Sequence, residues 1–285
     1  EVGASLLEPT ALPDPESTLP MAPAEFDALV RAARWSALTP FVDPDDDGPL
    51  GPMPVAAPFH GAIQPEAYQL VPLLKALKMP RVALLLADDV GLGKTVQAGL
   101  ILAELMLRRR LRRVLILCPA ALRTQWRQEM AEKFALHFEI VDRDATWRLR
   151  KAQGLDANPW RSFQRIITSI DYLKQPDVLS EFTAACRVPE GSPHLPWDML
   201  VLDEAHNLAP AGYGDDSQAT GMLATLSPYF DHRLFLTATP HSGHTRSFTG
   251  LLELLDPVRF SRSSELSPAA RAAVAEVVVR RLKRE

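Results

Sequence analysis

The sequence predicts an α/β fold: a parallel β-sheet flanked by helices. Two observations carry this reading. Five short runs are apolar on successive residues rather than alternating: RVALLLA from Arg81, RVLILC from Arg113, RIITS from Arg165, DMLVLD from Asp198 and RLFLTA from Arg233. Strands buried on both faces read this way. Between the runs lie longer stretches with helical spacing. GKTVQAGLILAELMLRR follows the first run and LRTQWRQEMAEKF the second; Asp171 to Arg187, with a bend expected at Pro176, follows the third. Such β–α alternation implies a doubly wound sheet with right-handed crossovers. The chain shows no internal repeat.

Residues 1–58 read differently. Prolines recur from Pro9 to Pro58 and interrupt regular structure. One break is PAEFDALVRAARWSAL, where Phe26, Leu29, Val30 and Ala33 share a helical face, so a short docking helix is expected over 24–38. The organisation expected is an extended Pro-rich acidic arm at 1–58, an α/β lobe at 59–258 and a linker at 259–285. The net charge of -4 hides a gradient, because Asp43, Asp45, Asp46 and Asp47 sit in the arm and the rest of the chain is net basic. The arm is a candidate surface for protein partners.

With 47% hydrophobic residues the chain can build a sizeable core. The 2 cysteines, Cys118 and Cys186, form no C-x-x-C, so buried thiols and a reducing cytoplasm are expected rather than a disulfide framework or a zinc site. No apolar stretch approaches the ~20 residues that span a bilayer, so no membrane partner is expected. The chain opens on Glu1 and closes on RRLKRE, which reads as a piece of a longer protein.

In a parallel sheet, ligands bind beyond the carboxyl ends of the strands. Past the first run stands DDVGLGKT, residues 88–95. It ends like a phosphate-binding loop, G-x-x-x-x-G-K-[ST], except that Asp88 replaces the first glycine. Gly91 and Gly93 permit a tight turn of inward amides. Lys94 offers a charge for phosphates, and Thr95 a hydroxyl for Mg²⁺. The following helix adds the positive end of its dipole. An ordinary Gly-rich turn is the alternative. Past the fourth run, LDEAH places Asp203 at the end of an apolar strand, where a carboxylate is costly unless paired or metal-bound. Mg²⁺ held by Thr95 is its natural partner, and Glu204 can orient or deprotonate a water. Past the fifth run, TATP sets Thr237, Ala238 and Thr239 on the same rim.

Together LLLADDVGLGKT, VLILCPAALRTQW, ITSIDYL, VLDEAH and LFLTATP resemble the first RecA-like lobe of superfamily-two helicases of the Swi/Snf DNA-translocase type. LLELLDPVRF is similar to the bacterial branch that includes RNA-polymerase-recycling ATPases. RWSALTPF with HGAIQPEAYQL is similar to the Swi/Snf-like component of the DISARM phage-defence system. The resemblance covers roughly His60 to the C-terminus. It implies an ATP hydrolase coupled to movement on double-stranded DNA, with Lys94, Asp203 and Glu204 catalytic. It implies nucleotide contacts at Asp89, Val90, Gly91, Leu92, Gly93, Lys94, Thr95 and Val96, and an adenine-reading Gln69 whose alternative is a surface position on an amphipathic helix. Thr95 and Asp203 would hold Mg²⁺. His206 would couple the nucleotide site to Thr237, Ala238 and Thr239. Pro119, Thr124, Trp126 and Ser169 match the family's DNA-backbone contacts, with a core aromatic as the alternative for Trp126. Where the family has Asp-Glu before the loop, this chain has Asp88-Asp89. The family's arginine fingers lie on a second lobe, so this segment alone is expected to hydrolyse ATP poorly.

Other features take plainer readings. RRRLRR, from Arg108 to Arg113, looks like a DNA patch, yet arginines at a helix C-terminus also complement its dipole. His241 and His244 form an H-x-x-H without a third ligand. The functional alternative is a nucleotide-dependent interaction module that recruits a partner and does little chemistry itself.

Overall fold

In a computed structural model the described residues are 55–108, 110–187, 195–239 and 244–282. The expected helix at 24–38 and the acidic arm lie outside them.

The strands are β1 (Ala83–Leu86), β2 (Val114–Cys118), β3 (Glu139–Ile140), β4 (Arg165–Ser169), β5 (Trp197–Leu202), β6 (Phe230–Leu236) and β7 (Val278–Val279). They form one sheet in the order β3-β4-β2-β5-β6-β1-β7, and every pairing is parallel. All five apolar runs are strands. β1 and β2 are buried at every position, as strands covered on both faces must be. β3 and β7 escaped the sequence reading because two residues carry no periodicity.

The expected helices form at Lys94–Leu107 and Arg123–Phe134. The third stretch is broken rather than bent: Ile170–Leu173 ends, and Pro176 starts a new helix, Pro176–Ala185. Proline lacks the N–H that a first helical position does not need, so it starts a helix more readily than it continues one. On one face of the sheet Phe182 stacks on Trp197 and Phe230, with ring centroids 6.0 and 6.2 Å away, and Trp160 meets it edge-on at 5.4 Å.

The lobe is larger than the expected 59–258. Upstream, Val55 and Ala57 are buried, and the amides of Ala56 and Ala57 donate to the buried Glu104 carboxylate at 2.8 and 2.7 Å. Downstream, residues expected as linker form the helix Pro268–Val277 and then β7, which pairs with β1. The arginine cluster is largely structural. Arg108 pairs with Glu104 at 2.7 Å, Arg110 donates to the Met79 and Pro80 carbonyls, and Arg113 lies 4.2 Å over the Trp197 ring. Arg109 lies outside the described residues.

Candidate nucleotide site

The sheet order sets the site. The carboxyl ends of β4, β2, β5, β6 and β1 stand in one row, presenting Ser169, Pro119, Asp203, Thr237 and Asp88 in that spatial order. Pairing continues past the strand ends: the Asp203 amide donates to the Leu117 carbonyl at 2.8 Å, and the Thr237 amide to Leu86 at 2.9 Å. Neighbouring strands are ~4.8 Å apart, so β1 and β5, two steps apart, put Asp88 and Asp203 on a rim ~10 Å wide.

The phosphate loop turns on two glycines in the left-handed region, Gly91 at φ 88° and Gly93 at φ 77°. Val90 and Gly91 are exposed at its tip, whereas Leu92, Gly93, Lys94, Thr95 and Val96 are half-buried. The helix Lys94–Leu107 starts at Gly93 with no side-chain cap and no acidic residue in its first turn. Its positive dipole end is therefore left for an outside anion. Lys94 Nζ rests 2.8 Å from the Asp88 carbonyl and 3.3 Å from that of Asp89. A Cβ on Gly93 would lie 2.5 Å from Gln69 Nε2. The uncapped helix, the lysine parked on neutral carbonyls and this close-fitting loop suit a phosphate chain.

Gln69 is not the surface residue of the alternative reading. It is 8% exposed; its Oε1 accepts from the Glu66 amide at 3.1 Å, and its Nε2 reaches the Leu92 carbonyl at 3.5 Å. It ties the start of the helix Ala67–Lys78 to the loop.

Asp203 is 9% exposed with both oxygens engaged. Oδ1 accepts from the Glu204 amide at 2.9 Å, and Oδ2 from Trp126 Nε1 at 2.8 Å. Each carboxylate oxygen has a second lone pair, so the group remains able to ligate a cation. Glu204 adopts φ 50°, ψ 47°, one of two non-glycine residues with positive φ among those described. That conformation costs of order 1 kcal/mol or more for a side chain like this, and such strain concentrates at functional sites. It turns the chain into the short helix Ala205–Leu208 and sets Glu204 beside His206. His206 Nδ1 lies 3.2 Å from Glu204 Oε2 and 3.0 Å from Thr237 Oγ1. A carboxylate only accepts, which assigns the proton to Nδ1. Thr237 Oγ1 also accepts from the Thr239 amide at 3.1 Å. The acidic motif after β5 and the threonine motif after β6 are thus one hydrogen-bonded unit. Thr237 is fully buried, Ala238 half-buried and Thr239 exposed.

The expected DNA contacts divide. Thr124 is exposed and Pro119 half-buried, on the segment after β2. Trp126 is 2% exposed and Ser169 4%. Trp126 is a core aromatic whose polar edge holds Asp203, and Ser169 Oγ caps the helix Ile170–Leu173 by accepting from the Tyr172 amide at 3.2 Å. Burial corrects the expectation that these two side chains touch DNA. Both cysteines are buried and free, and burial pushes the Cys118 thiol up to about 12. His244 packs edge-on against Tyr213 at 5.5 Å, and His241 lies outside the described residues.

Sequence reasoning singled out Asp88 but missed its partners. Asp88 is 0% exposed, and its Oδ2 accepts from Gln97 Nε2 at 2.8 Å with Arg281 at 3.5 Å. Gln97 looked like any helix residue, and nothing near Arg281 in sequence connects it to the loop.

A parallel sheet with an uncapped strand–loop–helix cradle beside a buried Asp203 and a half-buried Glu204 defines a RecA-like nucleotide-binding lobe. The chain belongs to the SNF2-related domain family, whose model matches residues 68–276. It is 38% identical over 181 residues to the RNA polymerase-associated protein RapA of Serratia proteamaculans, a match covering 64% of this chain and 17% of that protein. To RapA of Photobacterium profundum it is 37% identical over 213 residues, covering 72% of this chain and 20% of that protein. The chain thus spans about a fifth of the length of these relatives. In structure it is similar to the Sulfolobus solfataricus SWI2/SNF2 ATPase core in complex with dsDNA, with TM-score 0.58, 20% identity, and 82% of this chain and 47% of that one covered. The Sulfolobus solfataricus SWI2/SNF2 ATPase core domain gives TM-score 0.59, 20% identity and coverage of 80% and 45%. At that identity both show the fold.

Proposed function

We propose that this chain is the first motor lobe of a cytoplasmic DNA-dependent ATPase that couples Mg-ATP hydrolysis to movement on double-stranded DNA. One observation carries the reading: adjacent strand ends gather an uncapped phosphate loop, a buried Asp203 and a hydrogen-bonded Glu204–His206–Thr237 unit. Likeness to a solved core in complex with dsDNA supports duplex DNA as the partner. Thr124 and Pro119 remain the surface residues offered to its backbone. No helix among the described residues is long and apolar enough to cross a membrane.

In this reading the loop amides and Lys94 bind the β and γ phosphates, and Lys94 leaves the Asp88 and Asp89 carbonyls to do so. Gln69 faces the adenine. Thr95 and Asp203 would hold Mg²⁺, which when bound supplies positive charge against the charge developing on the phosphates. Glu204, set by its left-handed backbone, orients the attacking water and accepts its proton. His206 fixes the Glu204 carboxylate and passes its position to Thr237. Positioning and charge neutralisation account for most of the catalysis in phosphoryl transfer.

The test is turnover by the protein that joins this lobe to its second lobe. Double-stranded DNA should stimulate it, more than single-stranded DNA or RNA, and Lys94→Ala or Glu204→Gln should abolish it. Turnover surviving in Glu204→Gln would remove the water-positioning role. The 285-residue chain alone should hydrolyse ATP slowly, because an arginine finger from a second lobe is worth about 10³ to 10⁵ in rate. The stretches RWSALTPF and HGAIQPEAYQL extend the proposal to phage defence. Loss of protection in plating assays on Lys94→Ala is the outcome expected there, and full protection by that variant would reject it.

A further inference from the structure

We propose that Arg281 is a positioning residue of the nucleotide site, holding the phosphate loop in shape through the buried carboxylate of Asp88. The nucleotide part of this inference rests on the function proposed above; the clamp itself rests on contacts.

These contacts come from backbone and side chain alike. β7 pairs with β1 in the register Leu85↔Val278 and Leu86↔Val279. The ladder then runs on into the loop: the Ala87 amide donates to the Val279 carbonyl at 2.7 Å, and the Asp89 amide to the Arg281 carbonyl at 3.1 Å. Asp88, between them, points inward and is 0% exposed. Among the described residues its Oδ1 has no hydrogen-bond partner, and its Oδ2 takes a neutral amide, Gln97 Nε2. An ionised carboxylate so placed is strongly disfavoured unless a cation faces it. Lys94 does not, since its Nζ sits on main-chain carbonyls. Among the described residues, Arg281 is the cation paired with it, with Nη1 3.5 Å from Oδ2. The guanidinium is steered by Tyr68, whose ring lies 5.5 Å away and whose neighbour Gln69 reaches the loop at Leu92.

The position where a common phosphate loop has glycine therefore holds a charge, and that charge is matched from residues 278–281. Drawing Arg281 away would leave Asp88 buried and unmatched, and the loop would open to relieve it. Movement of the C-terminal segment and the shape of the phosphate loop are coupled through this pair and the two main-chain hydrogen bonds beside it.

Hydrogen exchange on the 285-residue chain without nucleotide tests the clamp. The peptide spanning 87–93 should exchange faster in Arg281→Ala, and Arg281→Lys should recover part of the protection. Asp88→Asn removes the charge that Arg281 offsets, so adding Arg281→Ala to it should change exchange little. Unchanged exchange in Arg281→Ala, or an equal increase in the Asp88→Asn background, overturns the clamp. Titration with Mg-ADP then tests its use: Arg281→Ala should raise Kd on the order of tenfold, and this loss too should vanish in Asp88→Asn. Lys94→Ala is the control for the nucleotide reading. A wild-type chain that binds Mg-ADP no better than Lys94→Ala sinks that reading, while exchange still decides the clamp. A loosened loop with unchanged Kd in a binding-competent chain overturns the positioning role.

Discussion

The indole N–H of Trp126 donates to Asp203 Oδ2 across 2.8 Å, with both side chains all but removed from solvent. The helix Arg123–Phe134, which follows the candidate DNA-facing segment, is thereby tied to the expected Mg²⁺ ligand. Trp126→Phe keeps most of the ring's packing and deletes the donor. Leaving one buried carboxylate oxygen unsatisfied costs about 1–3 kcal/mol. The expected outcome is a lowered melting temperature together with a higher Mg²⁺ concentration needed for ADP binding. Calorimetric titration of Mg²⁺ in the presence of ADP measures this. An Mg²⁺ requirement identical to wild type would remove the positioning role and leave Trp126 as packing alone.

Gly93 is where the backbone of the loop meets the Gln69 side chain. At φ 77° an L side chain is strained by about 1–2 kcal/mol, and a Cβ would lie 2.5 Å from Gln69 Nε2. Gly93→Ala must therefore push the Gln69 amide off the Leu92 carbonyl. If Gln69 reads adenine, Gly93→Ala and Gln69→Ala should both lose preference for ADP over GDP, as measured by competition binding. Gly93→Ala should also weaken both nucleotides. Preference preserved in both variants would return Gln69 to a purely structural cap.

The fold and the phosphate loop were legible because their signals are local. Uninterrupted apolar runs gave the inner strands, and the loop's glycines and lysine lie within a few residues of one another. The sequence reading faltered where function depends on pairs distant along the chain. Trp126 matched a DNA-contact motif by position, yet sheet order turns it inward onto Asp203. Arg281 sat in a stretch expected to be linker, while its partner is a loop near the other end of the lobe. β7 is too short to show a period, so no pattern could place that segment beside β1. For the arginines from Arg108 to Arg113 the position at a helix C-terminus already favoured a structural reading. Charge density suggested nucleic acid, but a carboxylate and carbonyls of the lobe itself engage Arg108, Arg110 and Arg113.

The link from Thr237 to His206 predicts a separation of binding from coupling. Thr237 Oγ1 accepts from the Thr239 amide and from His206 Nδ1, and its burial denies it any other task at the surface. Thr237→Val keeps the shape and removes both bonds. Mg-ADP affinity should stay within about twofold, since less than about 0.5 kcal/mol is then at stake. DNA-stimulated turnover in the two-lobed protein should fall. A double-mutant cycle with His206→Ala should show that the two losses do not add, as expected for residues in direct contact. Additive losses would mean that the two residues act separately.

His232 gives the lobe a pH dependence unrelated to catalysis. It lies on β6, 7% exposed, and its Nδ1 accepts from the Val82 amide at 2.9 Å. Burial lowers its pKa from the ordinary 6.5, and Arg110 lowers it further, against opposing effects of Asp231 and Asp198. Protonation would also set two N–H groups against each other. The unfolded chain takes up this proton before the folded one does, so stability rises with pH across the interval between the two pKa values. The contribution is present in full above 6.5 and is lost as pH falls below it towards the lower, folded value. Melting temperature measured across this window should fall on acidification. In His232→Gln, whose side-chain carbonyl can still accept from Val82 but does not titrate, the fall should be shallower. An identical slope in wild type and variant would assign the acid sensitivity to other groups.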